Sequence, residues 1–203
     1  MSKNYFIKHR KEIENILNQY PDTEVSGIIE KKTIKLLDIG ESYHVSQSLR
    51  TRDAKHSWHT HPLNNPDTYF TFSGADIYSN FFEFLRTVFV SQVKKKYYYV
   101  FSKEGIAMCR IKRKGELRLK ENKIPQYAKL CEDLKNEYEK TIVILLGDNG
   151  LIGDNMRSIW EAHITLLKNK KNVDELNTKF SNIVDNIFTS IGKLSVKFSF
   201  IFY

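Results

Sequence analysis

The sequence predicts a mixed α/β fold, in which helices flank a mixed β-sheet and a mostly helical C-terminal extension follows. Apolar residues recur at helical spacing near the N-terminus, at strand spacing across much of the first half, and again at helical spacing beyond residue 115. The chain has 203 residues, of which 41% are hydrophobic and 13% aromatic, so it can bury a substantial core. We expect residues 1–118 to form one domain and residues 119–203 an extension packed on it.

The first half is predicted to run in the order helix, hairpin, strand, helix, hairpin. Pro21 stops the first helix, Pro62 ends the single strand, and Ser73 is the N-cap of the second helix. Residues 38–54 lack a clear period and are predicted as a loop or irregular strand, and the lysines at 94–96 as a solvated turn. The segments are helix 3–20, strands 25–29 and 34–37 with a turn at 30–32, strand 55–62, a helix from 73 to 88, and strands 97–101 and 106–111.

The second half is predicted to be helical up to its last residues. Helices are expected at 124–140, 153–169 and 173–191, and the apolar run 142–146 fits either a strand or a helix. Residues 195–203 are predicted as a strand, because apolar and polar side chains alternate up to Phe200 and Ile201, Phe202 and Tyr203 follow. Such a strand must pair with another strand or be covered.

Composition excludes several classes of protein. The two cysteines, Cys109 and Cys131, are too few for a disulfide framework or a thiolate-rich zinc site. Both are expected in the core. No apolar run approaches the eighteen or so residues of a membrane span, and the N-terminus lacks a signal-peptide layout. We therefore expect a cytoplasmic, intracellular protein without a membrane partner.

The net charge of +8 has two interpretations. One is a nucleic-acid partner, because Lys and Arg contact phosphates. The other is a compositional bias toward lysine, since 24 lysines accompany only 8 arginines and Asn, Ile, Phe and Tyr are also abundant. Arginine is the better phosphate ligand. The bias is therefore favoured, and no specific nucleic-acid partner is expected.

One segment carries residues suited to metal chemistry. His59 and His61 lie two residues apart on a predicted strand, so their side chains point to the same side. Asp76 follows in the first turn of the next helix and offers a carboxylate oxygen. Two imidazoles and one carboxylate leave the fourth position of a zinc ion open, which is typical of catalytic rather than structural sites.

These residues resemble the signature of the JAMM (MPN+) metalloprotease family. The family pattern is a glutamate in an early strand, then H-S/T-H-P, then S-x-x-D. The string Trp58-His59-Thr60-His61-Pro62 is similar to its centre, Ser73-Gly74-Ala75-Asp76 to its end, and Glu24-Val25-Ser26-Gly27 to its E-x-C/S-G run. The resemblance covers about residues 3–115. It implies a JAMM/MPN-like, cytidine-deaminase-like sheet, and it leaves residues 116–203 unexplained.

The resemblance also implies a role for each matched residue. His59, His61 and Asp76 would hold one catalytic zinc ion, while Glu24 takes the proton of the attacking water and passes it to the leaving amine. Ser73 would donate a hydrogen bond to the developing oxyanion, in addition to its N-cap role. Glu30 is a poorer match for the glutamate. The stretch between His61 and Ser73 is about four residues longer than usual, which we expect to reshape the rim of the cleft.

The implied activity is that of a zinc-dependent isopeptidase, or deubiquitinase, acting on ubiquitin or ubiquitin-like conjugates. One alternative is a protease that trims the tail of a small ubiquitin-like or sulfur-carrier protein. Another is a non-catalytic scaffold of the MPN type, although such relatives usually lose metal ligands. A nucleic-acid-binding module is suggested by charge alone. The extension would contact substrate, dimerise, or bind a larger protein assembly.

Overall fold

A computed structural model describes residues 1–41, 45–63, 71–146 and 156–203. The helices are α1 (Lys3–Lys8), α2 (Arg10–Gln19), α3 (Leu49–Asp53), α4 (Gly74–Ser91), α5 (Ile124–Leu146), α6 (Met156–Lys168) and α7 (Lys170–Ile187). The strands are β1 (Val25–Glu30), β2 (Thr33–Ile39), β3 (His56–Thr60), β4 (Lys95–Ser102), β5 (Gly105–Arg113) and β6 (Leu194–Phe202). A short 3-10 helix, Glu121–Lys123, precedes α5.

The six strands form one mixed sheet in the order β2-β1-β3-β4-β5-β6, and helices flank it. The mixed α/β class predicted from the sequence is confirmed. The C-terminal strand β6 lies beside β5, as its apolar alternation required. In the part of the chain that the structure describes, no helix has the length and apolar character needed to cross a membrane.

The chain forms two compact units. The first unit comprises Met1–Thr71, Tyr98–Met108 and Ser199–Tyr203, and the second comprises Phe72–Tyr97 and Cys109–Phe198. In the first unit, the Trp58 indole stacks on Phe101 with ring centroids 5.0 Å apart, and its Nε1 donates to the Ile28 carbonyl at 3.1 Å. These contacts fix the middle of β3 against β1. The predicted division at residues 118 and 119 stays a prediction.

The hairpin between β1 and β2 turns at two lysines. Lys31 and Lys32 have φ angles of 50° and 67°, the left-handed values that a two-residue hairpin turn needs at both central positions. The predicted turn is confirmed. The predicted first helix is interrupted, because His9 leaves the helical region at φ −96° and ψ 12° and separates α1 from α2.

The predicted loop at 38–54 was wrong in part, because it contains the short helix α3. Ser48 caps this helix by accepting the Thr51 backbone N–H. Asp38 anchors it, since one carboxylate oxygen accepts the hydroxyls of Thr51 at 2.6 Å, Ser26 at 3.0 Å and Ser48 at 3.3 Å. No periodic pattern marks this helix in the sequence, because a five-residue helix held by side chains has too few apolar positions to show one.

Replacing Asp38 by asparagine should lower the free energy of unfolding by about 1–2 kcal/mol, because charged hydrogen bonds to a partly buried oxygen are lost. Burial alone raises the pKa of Asp38, but hydrogen bonds from Thr51, Ser48 and Ser26 outweigh it and hold the pKa below its usual value. The stabilisation is therefore present above the unfolded pKa of about 3.9 and is lost as the pH falls through the lowered folded pKa.

Urea denaturation at several pH values measures this effect, and the difference from wild type should shrink in acid. Glu30→Gln is the control, since this exposed carboxylate pairs with Lys35 at the hairpin end. It should leave the stability nearly unchanged. Equal stabilities of Asp38→Asn and wild type at neutral pH would contradict the anchoring role.

The second unit is built around aromatic contacts between helices and β6. Phe81 of α4 stacks on Phe188 with centroids 5.7 Å apart, and Phe180 of α7 packs edge-on to Tyr138 of α5 at 5.3 Å. Phe198 of β6 lies 5.4 Å from Phe180. The apolar run 142–146 is the end of α5 and not a strand. Residues 153–155 of the predicted second helix lie outside the described residues.

The predicted solvated turn at residues 94–96 was wrong for Lys95 and Lys96, while Lys94 lies exposed in a bend. Lys95 begins β4, and the side chain of Lys96 is fully buried, where its ammonium forms an ion pair with Glu83 of α4. A buried ammonium needs such a partner. A run of three lysines gives no sign that one of them is internal, because the partner lies 13 residues earlier on another element.

Candidate metal centre

The two histidines of the motif lie at the end of β3. His61 follows the last residue of the strand, and its backbone N–H donates to the Phe101 carbonyl at 3.0 Å, which keeps the chain extended. His59 and His61 are buried, with 7% and 5% of their surface exposed. Their side chains share one side of the strand, as the two-residue spacing predicts. The two Nε2 atoms face each other at 3.3 Å.

This separation fits two ligands of one ion. Nitrogens bound to a tetrahedral zinc at about 2.0–2.1 Å lie about 3.3–3.4 Å apart. The rings are tilted by 54° with centroids 5.2 Å apart, so they converge at Nε2 without stacking. A hydrogen bond between one protonated and one unprotonated nitrogen also fits the distance. The pair is therefore suited to an ion without requiring one.

Glu24 directly precedes β1, the strand that pairs with the histidine strand. β1 and β3 are antiparallel with Ser26 opposite His59, and continuing that register places Glu24 opposite His61. Thr60 supports the register, since its Oγ1 accepts the Val25 N–H at 3.0 Å. Opposite residues of an antiparallel pair share a face, and so do residues two apart along a strand. If this register continues one pair beyond Val25 and Thr60, Glu24 and the two histidines share a face.

The alternative glutamate, Glu30, lies at the other end of β1. It is six residues from Glu24, about 20 Å along an extended strand. Its exposed carboxylate pairs with Lys35 at 2.6 Å and lies 3.7 Å from Arg50. Hydrogen bonding and charge attraction from Lys35 hold its pKa below the usual value. Of the two glutamates, the strand register favours Glu24.

Gly27, the glycine of the E-x-C/S-G run, lies where a larger side chain would not fit. A Cβ at this position would lie 1.9 Å from the Lys35 carbonyl oxygen and 2.7 Å from the Trp58 ring. Lys35 contributes backbone here, so neither neighbour can move away cheaply. Gly27 sits at a β-bulge and pairs with Trp58. The glycine therefore allows the histidine strand to lie against β1.

Ser73 and Asp76 form a capping box at the start of α4. The Ser73 hydroxyl accepts the Asp76 N–H at 3.1 Å, and Asp76 Oδ2 accepts the Ser73 N–H at 2.7 Å. The Ser73 hydroxyl also donates to the same Oδ2 at 2.8 Å. The predicted N-cap is confirmed. These contacts fix the Asp76 side chain, because one of its oxygens is held by two donors.

The ligand atoms of His59, His61 and Asp76 all lie within 4.8 Å of one another. Among the described residues, this is the one group of three or more His, Cys, Asp or Glu side chains whose ligand atoms lie so close together. All three are buried or half-buried. Residues 64–70, which include most of the predicted insertion, lie outside the described residues, so the effect of the longer loop stays a prediction.

The cysteines are not placed to bind an ion as thiolates. Cys109 and Cys131 are fully buried, as predicted, in β5 and α5. Burial raises the pKa of both thiols, that of Cys131 to about 12. They therefore stay protonated at neutral pH. Nitrogen and oxygen ligands remain for a metal.

The chain matches no protein family, no curated protein and no solved structure at a significant level. The geometry of the site and the resemblance of its motif are therefore the indications of what the chain does.

One contact near the site was missed by sequence reasoning. Tyr138 of α5 donates its hydroxyl to the Phe72 carbonyl, one residue before Ser73, across 66 positions of sequence. The helical spacing of Tyr138 predicts a core residue, and it is buried. No motif or spacing indicates which carbonyl its hydroxyl meets, because that depends on how α5 packs against α4.

Proposed function

We propose that the chain is a zinc-dependent isopeptidase with a JAMM (MPN+)-like fold, acting on ubiquitin or a ubiquitin-like protein. The observation that carries the proposal is the convergence of the buried His59 and His61 Nε2 atoms at 3.3 Å. The pairing of Ser26 with His59 supports a place for Glu24 on the same face. The substrate class comes from the motif resemblance alone. The order helix, hairpin, histidine strand, helix, hairpin supports the finer fold.

The ligand set favours zinc. Two imidazoles and one carboxylate are ligands that zinc accepts, and with three protein ligands one position of a tetrahedral site stays open to water. When bound, zinc supplies Lewis acidity and lowers the pKa of that water to about 7. The group of His59, His61 and Asp76 satisfies the ligand count, and both imidazoles are buried.

Two further residues act on protons and charge in this proposal. Glu24 accepts the proton of the attacking water and returns it to the leaving amine, which requires an ionised carboxylate. Ser73 donates to the oxyanion that forms at the scissile carbonyl. In the structure its hydroxyl donates to Asp76 Oδ2, so the hydrogen must turn away from Asp76 when the substrate carbonyl arrives.

The alternatives predict different substrates. A tail-processing protease would cleave a linear extension from a small ubiquitin-like or sulfur-carrier protein and leave isopeptide-linked dimers intact. An MPN-type scaffold would bind without cleaving. The retained ligands and glutamate favour an enzyme, since a scaffold has no need for two buried imidazoles that face each other.

The test is a cleavage assay on purified protein with a panel of isopeptide-linked ubiquitin dimers and a linear ubiquitin with a C-terminal tail. Samples are assayed as purified, after treatment with a chelator, and after zinc is returned. We expect at least one dimer to be cleaved, with loss on chelation and recovery with zinc. Cleavage of the linear substrate alone would favour the tail-processing alternative, and no cleavage by zinc-loaded protein would refute the enzyme proposal.

A further inference from the structure

The C-terminal extension reaches the start of the helix that carries Asp76. The Tyr138 hydroxyl of α5 donates to the Phe72 carbonyl at 3.1 Å, and both residues are 2% exposed. Gly74, the first residue of α4, is also in contact with α5. A Cβ there would lie 1.8 Å from a carboxylate oxygen of Glu139. The two helices therefore meet at the capping box.

The Phe72 carbonyl and the Ser73 N–H belong to one planar peptide group. Tyr138 binds the oxygen of this group, while Asp76 Oδ2 accepts its N–H at 2.7 Å. Rotation of the peptide plane would disturb both hydrogen bonds. A donor to the carbonyl also polarises the group and makes its N–H a stronger donor. The tyrosine hydroxyl thus acts on the Asp76 carboxylate through one rigid unit.

The position of the hydroxyl is itself fixed by the core of the extension. The Tyr138 ring packs edge-on to Phe180 at 5.3 Å and lies 5.7 Å from Phe198. Those residues belong to α7 and β6, the last two elements of the chain. A side chain held on two sides by packed aromatic rings cannot move its hydroxyl without disturbing the core.

We propose that Tyr138 is a positioning residue for Ser73 and Asp76, which makes the C-terminal extension a working part of the metal site. This inference rests on the proposed function, because the effects expected when the hydroxyl is removed are weaker zinc binding and slower hydrolysis. Outer partners that orient metal ligands typically change affinity or activity by about 10–100-fold when removed.

Tyr138→Phe removes the hydroxyl and keeps the ring. The matched control is Tyr127→Phe in the same helix, because the Tyr127 hydroxyl also binds a backbone group, accepting the Lys120 N–H at 2.7 Å. Tyr127 lies three turns earlier, about 16 Å along the axis. Both variants lose one partly or fully buried hydrogen bond, so thermal unfolding should report similar losses of stability.

Zinc affinity, measured by competition with a chromophoric chelator, should fall about tenfold or more in Tyr138→Phe and stay at the wild-type value in Tyr127→Phe. When the assay contains saturating zinc, the kcat of Tyr138→Phe should also be lower than that of wild type, while the KM for the substrate stays nearly the same. In metal-free protein, the Ser73 amide resonance should shift and exchange faster with solvent only in Tyr138→Phe. This last measurement is independent of the proposed activity.

Wild-type zinc affinity and an unchanged Ser73 amide in Tyr138→Phe would overturn the inference and leave the proposed function intact. A wild-type protein that neither binds zinc nor cleaves any dimer would instead refute the proposed function and the metal-site role together. A lower melting temperature with unchanged zinc affinity, kcat and Ser73 amide would mean that the hydroxyl is structural only, which also overturns the inference.

Discussion

Glu24→Gln should reduce hydrolysis about a hundredfold or more while zinc content and melting temperature stay at wild-type values. An amide cannot accept the proton of the attacking water, and general-base catalysis is worth about 10²–10⁴ in rate. The substitution keeps the size of the side chain and the backbone bonds that Glu24 makes to Glu41 and Gly40. Steady-state kinetics on a cleavable dimer would measure the loss, which should fall on kcat.

Glu30→Gln is the control for this substitution. It changes the same functional group in the same strand, at the exposed hairpin end. We expect wild-type kinetics. The opposite pattern, with activity lost in Glu30→Gln and kept in Glu24→Gln, would contradict the strand register that places Glu24 opposite His61.

His59→Ala should abolish stoichiometric zinc binding and reduce hydrolysis to background. The variant removes one of three protein ligands. The remaining imidazole and carboxylate would fill only two of the four positions of a tetrahedral ion. Elemental analysis of the purified variant measures the metal content, and activity should not return when zinc is added at the level that restores wild type. Full zinc occupancy in this variant would show that the ion lies elsewhere.

His56→Ala is the matched control. His56 lies on the same strand, three residues earlier and therefore on the opposite face. Its Nδ1 is hydrogen-bonded to the Tyr99 hydroxyl at 2.8 Å. The variant should keep its zinc and its activity at a temperature where it is folded. Asp76→Ala is a less clean test than His59→Ala, because it also breaks the capping box and so destabilises α4 by about 1 kcal/mol.

Local features of the site followed from sequence spacing. The two-residue interval put His59 and His61 on one side of a strand, and the Ser73-x-x-Asp76 pattern gave the capping box. Both depend only on backbone geometry within a few residues. The turn at Lys31 and Lys32 was also predicted locally, because these two charged residues separate two short apolar segments.

Features that depend on packing could not be predicted. Lys96 is buried because α4 places Glu83 beside it. A run of lysines in the sequence does not indicate that partner. Tyr138 meets the Phe72 carbonyl because α5 packs on α4. The anchoring of α3 likewise brings Asp38 of β2 together with a hydroxyl of β1 and two hydroxyls at the start of α3. In each case the partners are distant in sequence, and only the fold brings them together.

The zinc-edge X-ray absorption spectrum of the purified wild-type protein tests the proposed metal site most directly. We expect a four-coordinate ion with two imidazole nitrogens at about 2.0–2.1 Å and oxygen ligands at about 2.0–2.2 Å, from His59, His61, Asp76 and water. This spectrum should be absent from His59→Ala, which does not retain the zinc, and unchanged in His56→Ala. A sulfur shell at about 2.3 Å, or a shell without imidazole scattering, would contradict the account.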